Sequence, residues 1–109
     1  MARIAIIPAG AVGDWRLGAY DVRVLAAFGA HVTALDEPGE VTDEQLLDEV
    51  EGSFESHRKV IANLVSCGWL RVESATATGV SIGFGVADLR YRFWLLDALP
   101  PVDGAGSAG

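Results

Sequence analysis

Two neighbouring basic residues, Arg58 and Lys59, are the side chains in this sequence best suited to contact nucleic acid. They fall in the segment SFESHRKVIANLVSCGWLRVE, residues 53–73, which begins with Ser53, a residue type preferred at a helix N-cap. A helix in the major groove can direct Arg to a guanine and Lys to a phosphate. The alternative is that both are solvated helix charges, which could pair with Glu55 one turn earlier. The segment therefore predicts a helix and leaves its contact with DNA as a hypothesis.

Further polar residues could complete a DNA-binding face around that helix. Serines near its start would face the groove, and arginines on the strands that follow would lie near phosphates. The predicted set is Ser53, Ser56, Arg58, Lys59, Arg71, Arg90 and Arg92. Arg90 and Arg92 alternate with apolar residues, so they share the outer face of a predicted strand and could equally pair across strands with Glu73. The partner predicted by this set is double-stranded DNA.

The distribution of charge opposes contact with DNA. Residues 36–55 contain nine acidic residues and no Lys or Arg, in a chain with a net charge of −7. Such a segment weakens binding, because DNA carries one negative charge per roughly 1.7 Å of its axis. An acidic face can instead bind a basic protein surface, including one that normally binds nucleic acid. The simpler interpretation is a solvated helix face that aids solubility.

The protein-binding alternative uses a different set of residues. Residues 80–86 alternate large apolar side chains with small ones. If exposed, their apolar side forms an interaction patch for another protein or for a homodimer; otherwise it folds back onto the domain's own core. The predicted set for this alternative is Glu44, Asp48, Glu49, Glu51, Phe54, Glu55, Val80, Ile82 and Phe84.

The first half of the chain predicts a strand and two helices. Residues 3–8 indicate a short strand, and apolar spacing indicates a helix over residues 17–32. A loop is expected at residues 36–39. Thr42 and Gln45 then have the spacing of a capping box at the start of a second helix.

The second half predicts a third helix and two strands. The buried face of the helix is expected to contain His57, Ile61, Leu64 and Val65. Alternation predicts strands from Leu70 and over residues 89–95, joined by a long loop at residues 74–88 or by an extended hairpin. Residues 1–96 are expected to form one domain, followed by a flexible tail at residues 97–109.

No arrangement of residues indicates an enzyme, a metal site or a cofactor. A nucleophile with a positioned base is missing, and His31, His57 and Cys67 are too few for a metal site. We expect His57 to be half-buried with its hydrogen bonds satisfied, and Cys67 to be a core thiol. A single cysteine excludes an internal disulfide and favours a reducing, cytoplasmic setting. No apolar run approaches the roughly 18 to 20 residues that span a bilayer, so no membrane partner is expected.

The order of these elements resembles the winged helix-turn-helix domains of phage and plasmid replication initiators and related small regulators. The similarity covers about residues 3–96 and rests on three segments, RIAIIPAGAVGDWRLGAYDVRVLAAFGAHV, QLLDEVEGSFESHRKVIANLVSCGWLRVE and LRYRFWLL. The resemblance implies an α+β fold with a short N-terminal strand, three helices and a C-terminal β-hairpin wing. It also implies a small DNA-binding protein, either a transcriptional regulator or a replication-accessory factor of a phage or mobile element.

The sequence departs from the family pattern at positions that would contact DNA. Phe54 and Glu55 stand where the family usually has Arg, Lys, Thr or Gln, and His57 stands at a usually aliphatic position. The wing carries Val80, Ile82 and Phe84 where the family usually offers Arg or Lys to phosphate. The predicted function remains DNA binding, and these departures support one alternative: an acidic winged-helix protein-interaction module that no longer binds DNA, for example a phage-encoded inhibitor of a host defence complex or a subunit-docking domain.

Overall fold

The computed structural model describes residues 5–34 and 36–96. Within them the chain forms an α+β domain of three helices and a three-stranded antiparallel sheet. In chain order the elements are α1 (Ala19–Gly29), β1 (Gly39–Thr42), α2 (Asp43–Glu49), α3 (Phe54–Ser66), β2 (Leu70–Ser81) and β3 (Ala87–Leu95). No helix in the described ranges is long and apolar enough to cross a membrane.

The N-terminal segment does not form the strand predicted over residues 3–8, as far as the described residues 5–8 extend. Its backbone instead docks on the end of α1, where the Ile6 N–H donates to the Gly29 carbonyl at 3.0 Å. A Cβ on Gly29 would lie 1.8 Å from the Ile6 carbonyl oxygen, so this close approach requires glycine. For residues 5–8 the prediction was wrong, because this part of the segment pairs with a helix end and no strand of the described ranges lies beside it.

Helix α2 begins at the predicted capping box. The Gln45 N–H donates to Thr42 Oγ1 at 3.1 Å, and the Thr42 N–H donates to Gln45 Oε1 at 2.9 Å. Val41 before the cap and Leu46 inside the helix are both buried, as expected for residues that fix the entry angle of the chain. Local sequence therefore determines where this helix starts.

Helix α3 begins after the predicted N-cap and ends at a glycine. The Ser56 N–H donates to Ser53 Oγ at 3.1 Å, and Gly68 has a left-handed φ of 83° after the last turn. The Trp69 N–H returns to the Leu64 carbonyl at 3.0 Å, which is the hydrogen bond of a glycine-terminated helix. These bonds fix the junction between α3 and β2.

The buried face of α3 differs from the prediction at one residue. His57, Ile61 and Leu64 are buried, but Val65 is 43% exposed and Val60 is buried instead. Val60 and Val65 lie on opposite flanks of the stripe that the other three define. The Tyr20 hydroxyl of α1 meets Ser56 on the Val60 flank, whereas Val65 lies on the other flank, beside Val72 and Leu89 of the hairpin.

The sheet has the order β1-β3-β2, so the last strand in the sequence lies in the centre. Strand β1 was not predicted, since Gly39 was assigned to a loop. Gly39 pairs with Phe93, and a Cβ on it would lie 2.4 Å from Val32 and 2.8 Å from the Phe93 ring. The absence of a side chain at Gly39 therefore lets the strand pack closely.

Strands β2 and β3 form a long hairpin, so the loop predicted at residues 74–88 is wrong and the extended hairpin is confirmed. The pairing shifts register between Val72 and Ser74 and again between Ala77 and Ser81. The hairpin closes through an Ile82 N–H bond to the Val86 carbonyl at 2.9 Å. At its base, β3 contributes Phe93 and Leu95 to the core.

Candidate interaction surfaces

Asp43, the first residue of α2, has a fully buried carboxylate that joins three elements. It accepts hydrogen bonds from Arg58 Nη2 at 2.6 Å, the Tyr91 hydroxyl at 2.7 Å and the Leu89 N–H at 2.9 Å. Its only charged partner among the described residues is Arg58, which lies on α3. These three donors compensate a buried carboxylate, as they must when water is excluded.

Arg58 is held by this carboxylate. Its Nε also approaches Asp43 Oδ1 at 3.4 Å, and its Nη2 donates to the Ala87 carbonyl at 2.9 Å. The hydrogen bond to Asp43 raises the pKa of the guanidinium, while burial of the phenol and then the same carboxylate raise the pKa of Tyr91. Arg58 therefore pairs with Asp43 and not with Glu55, and a base contact would require it to leave a buried partner.

Asp88 forms a second link between α2 and the hairpin. Its side chain is buried, and it accepts from the Glu44 N–H at 2.9 Å and from the Thr78 hydroxyl at 2.8 Å. The Glu44 N–H belongs to the first turn of α2, where backbone donors lack partners within the helix. Asp43 and Asp88 together fix the start of α2 against both strands of the hairpin.

Two arginines on the outer face of the sheet, Arg71 and Arg92, are also engaged. Arg92 donates to Glu73 at 2.8 Å and lies 3.4 Å from a Glu40 oxygen, so the cross-strand alternative applies to Arg92. Arg71 lies over the Trp94 ring at 5.3 Å, and the Trp94 indole N–H donates to Glu73 at 3.1 Å. The indole bond, with the neighbouring arginines, lowers the pKa of Glu73.

The remaining members of the predicted DNA-binding set differ in their availability. Ser53 and Ser56 cap α3, and Ser56 also shares a hydrogen bond with the Tyr20 hydroxyl at 2.8 Å. Lys59 and Arg90 are exposed, and neither side chain has an ion pair or hydrogen bond within the described ranges. These two cations are the ones that the fold leaves uncommitted.

An open groove of about 570 Å³ lies between α2 and the hairpin. We call it the acidic groove; its lining residues are Glu40, Val41, Thr42, Glu44, Gln45, Asp48, Thr78, Val80, Asp88 and Arg90. Glu44 and Asp48 are exposed, and Val80 is 49% exposed, so three residues of the protein-binding set meet here. Arg90 is its one cation, against the carboxylates of Glu40, Glu44, Asp48 and Asp88.

The other residues of the protein-binding set lie elsewhere. Glu49 pairs with His31 at 2.7 Å, and Phe54 lies against the Arg58 guanidinium at 5.3 Å. Glu51 and Glu55 are exposed near the start of α3. The set predicted from sequence is therefore not a single contiguous surface.

A second groove, of about 460 Å³, lies between α3 and the inner face of the hairpin. Its lining residues are Arg58, Ile61, Ala62, Val65, Val72, Leu89 and Tyr91. Ala75 pairs with Tyr91 and Ala77 pairs with Leu89, so both alanines continue this face along the hairpin. We call Ala62, Val65, Val72, Ala75, Ala77 and Leu89 the apolar surface. The sequence did not predict this surface, because residues 74–88 were compatible with a long loop as well as with an extended hairpin.

The tip of the hairpin carries an unprotected aromatic ring. Phe84 is fully exposed and has a φ of 51°, in the left-handed region. Ile82 beside it is partly buried. The alternative that residues 80–86 fold back onto the domain core is therefore wrong for Phe84.

His57 is buried without satisfying its polar atoms. It is 1% exposed, and neither ring nitrogen has a hydrogen-bond partner in the described part of the chain. The prediction of a half-buried, hydrogen-bonded histidine is wrong, since the ring packs on Tyr20 with centroids 5.7 Å apart. Cys67 is a buried free thiol, as expected. No cluster of metal-ligating side chains occurs in residues 5–34 and 36–96.

A buried carboxylate near the N-terminus was not predicted from the sequence. Asp14 accepts from Arg16 Nη2 at 2.7 Å and from the Trp69 indole N–H at 2.6 Å. The hydrogen bond from Arg16 holds the pKa of Asp14 well below its usual range. The contact joins the turn before α1 to the junction after α3. The Asp-x-Arg spacing was the only local signal.

Comparison of the chain with family models finds no match, and comparisons with curated proteins and with solved structures find none either.

Proposed function

We propose that this chain is a winged-helix protein-interaction module that binds a basic protein surface through the acidic groove. One observation carries the proposal. Arg58, the strongest candidate for reading DNA, is bound at 2.6 Å to the buried carboxylate of Asp43. A guanidinium in that position stabilises the junction of α2, α3 and β3, and contact with a base would leave Asp43 without its charged partner.

The assignment to the winged-helix class rests on the order of elements. Three helices are followed by a long hairpin, an order that supports treating α3 as the counterpart of a recognition helix. In a DNA-binding member, α3 and the wing would present cations to the duplex. Here the groove between them is lined mainly by Ile61, Ala62, Val65 and Leu89. That composition favours a protein partner.

The chemistry of the acidic groove determines the kind of partner. Glu44 and Asp48 project from α2, and Glu40 lies on the adjacent strand. Arg or Lys side chains of a partner would find carboxylates there, and Val80 offers an apolar contact beside them. Complementary charge of this kind selects the partner and accelerates association. The basic surface of the partner can be one that otherwise binds nucleic acid.

The test compares two variants of equal net charge, using a synthetic arginine-rich peptide as the probe and calorimetry as the readout. Glu40→Gln/Glu44→Gln/Asp48→Asn should weaken binding by about tenfold or more, which is about 1.4 kcal/mol. Asp36→Asn/Glu51→Gln/Glu55→Gln removes three exposed carboxylates outside the groove and should bind like the wild type. Equal losses in the two variants would mean that the peptide responds to bulk charge, and the groove assignment would fail.

DNA binding is the second candidate, favoured by the order of elements and by the free side chains of Lys59 and Arg90. Its test is fluorescence anisotropy with random duplex DNA across a salt series. Affinity that falls steeply with salt, and falls again in Lys59→Ala/Arg90→Ala, would establish this mode in place of the first. Absence of binding at about 50 mM salt, where phosphate contacts are strong, would favour the protein-binding function.

A further inference from the structure

The inner face of the hairpin extends beyond the core without a covering element. The apolar surface begins at Ala62 and Val65 on α3 and continues along both strands through Ala75, Ala77 and Leu89. Ala62, Ala75 and Ala77 are exposed, and Val65 is 43% exposed. A contiguous apolar face on both a helix and a hairpin indicates an interaction site.

The same chain carries an apolar side chain suited to such a groove. Phe84 is fully exposed at the end of the hairpin. Six residues lie between Phe84 and Tyr91 of the groove, and β3 includes them only from Ala87, so the two residues are at most about 23 Å apart. When two hairpins lie antiparallel, the tip of one reaches the base of the other, because both have the same length.

The placement of charge allows two copies to meet at this face despite the net charge of −7. No carboxylate lines the second groove, and its one cation, Arg58, is already paired with Asp43. The acidic groove includes Arg90, whereas the apolar surface includes Leu89, and successive residues of a strand point to opposite faces. Association through the apolar surface therefore leaves the exposed acids of α2 outside the contact.

We propose that the apolar surface binds the same surface of a second copy about a two-fold axis, with each Phe84 seated in the other copy's groove between α3 and the hairpin. In a two-fold interface both copies use the same patch, so each patch is covered by the other and the assembly closes as a dimer. The alanines of the two hairpins meet near the axis, where small side chains permit close approach. This pairing leaves the acidic groove free, so it neither requires nor excludes a basic partner.

Site-directed disulfide formation tests the geometry. In a Cys67→Ala background, copies carrying Phe84→Cys are mixed with copies carrying Ala62→Cys under mild oxidation. The mixed dimer should form in high yield, because Phe84 of one copy lies beside α3 of the other. The control replaces Ala62→Cys by Thr76→Cys, an exposed residue paired with Arg90 on the outer face. Equal yields in the two mixtures would overturn the arrangement.

Sedimentation equilibrium tests the association itself in the full chain. The wild type should dimerise, and Val65→Glu should raise the dimer dissociation constant by about tenfold or more. Thr76→Glu adds the same charge on the opposite face and should leave the constant unchanged. Circular dichroism melts verify that both variants fold, as expected for exposed positions. A wild type that remains monomeric at about 100 µM would overturn the proposal. The proposal would fail in that case even if Val65→Glu weakened binding of another protein.

Discussion

The hydroxyl groups of Tyr20 and Ser56 lie 2.8 Å apart and join α1 to the first turn of α3. Gly52 lies directly beside this contact. A Cβ on Gly52 would come within 2.3 Å of the Tyr20 hydroxyl and 3.0 Å of His57 Nε2. The turn between α2 and α3 therefore needs a residue without a side chain, and its φ of 142° needs glycine for a second reason.

Gly52→Ala should lower the free energy of unfolding more than a change in backbone strain alone would. The matched control is Gly79→Ala, because Gly79 has a left-handed φ of 92° but open space around it. Strain at one such residue costs of order 1–3 kcal/mol. Urea denaturation should show Gly52→Ala to be less stable than the control by about 1 kcal/mol or more. Equal losses would mean that the packing around Tyr20 relaxes without cost.

Arg58→Met should destabilise the domain because it leaves the buried Asp43 carboxylate without a cation. Removal of one partner from a buried ion pair costs about 3–5 kcal/mol, and the partial exposure of Arg58 places the expected loss near the lower value. Lys59→Met on the exposed side of the same helix should change stability by less than about 0.5 kcal/mol. Urea denaturation measures both, and a similar small effect at the two positions would contradict a structural role for Arg58.

Asp14 should contribute to acid sensitivity. Its folded-state pKa is lowered by the hydrogen bond from Arg16, so its stabilisation is fully present above the unfolded value of 3.8 and is lost as pH falls below it. Asp14→Asn should therefore reduce stability at pH 7 and flatten the decline between pH 4 and lower pH. Asp36→Asn, at an exposed site, is the control. Urea midpoints of the two variants should be compared at pH 4 and at lower pH. An equal decline in the two variants would refute the assignment.

Features that depend on a few consecutive residues could be predicted from the sequence. The capping box at Thr42 and the glycine end at Gly68 each use hydrogen bonds within six residues, so their residue types specify their geometry. The extended hairpin was one of two alternatives because its uncharged residues 74–81 lack strong alternation. Strand β1 was missed because only its pairing with β3, about fifty residues away, makes it a strand.

The candidate site was less predictable because it depends on contacts between distant residues. Arg58 has the residue type of a DNA contact, and nothing near it in sequence indicates that Asp43 lies 2.6 Å away. Asp43 is itself one of nine acids in its segment, and no local feature marks it as the buried one. The division of charges into structural pairs and free groups therefore required the fold.

The position of β3 in the centre of the sheet has a consequence for how the chain folds. Both neighbours of β3 precede it in the sequence, so neither can pair until the ribosome has synthesised the chain through about Leu95. Until then Phe28 lacks the Phe93 ring that packs against it at 4.7 Å, and Asp43 lacks the Tyr91 hydroxyl. All three helices have thus been synthesised before the residues of β3 that complete their core. Formation of the native domain is therefore delayed until translation has passed β3.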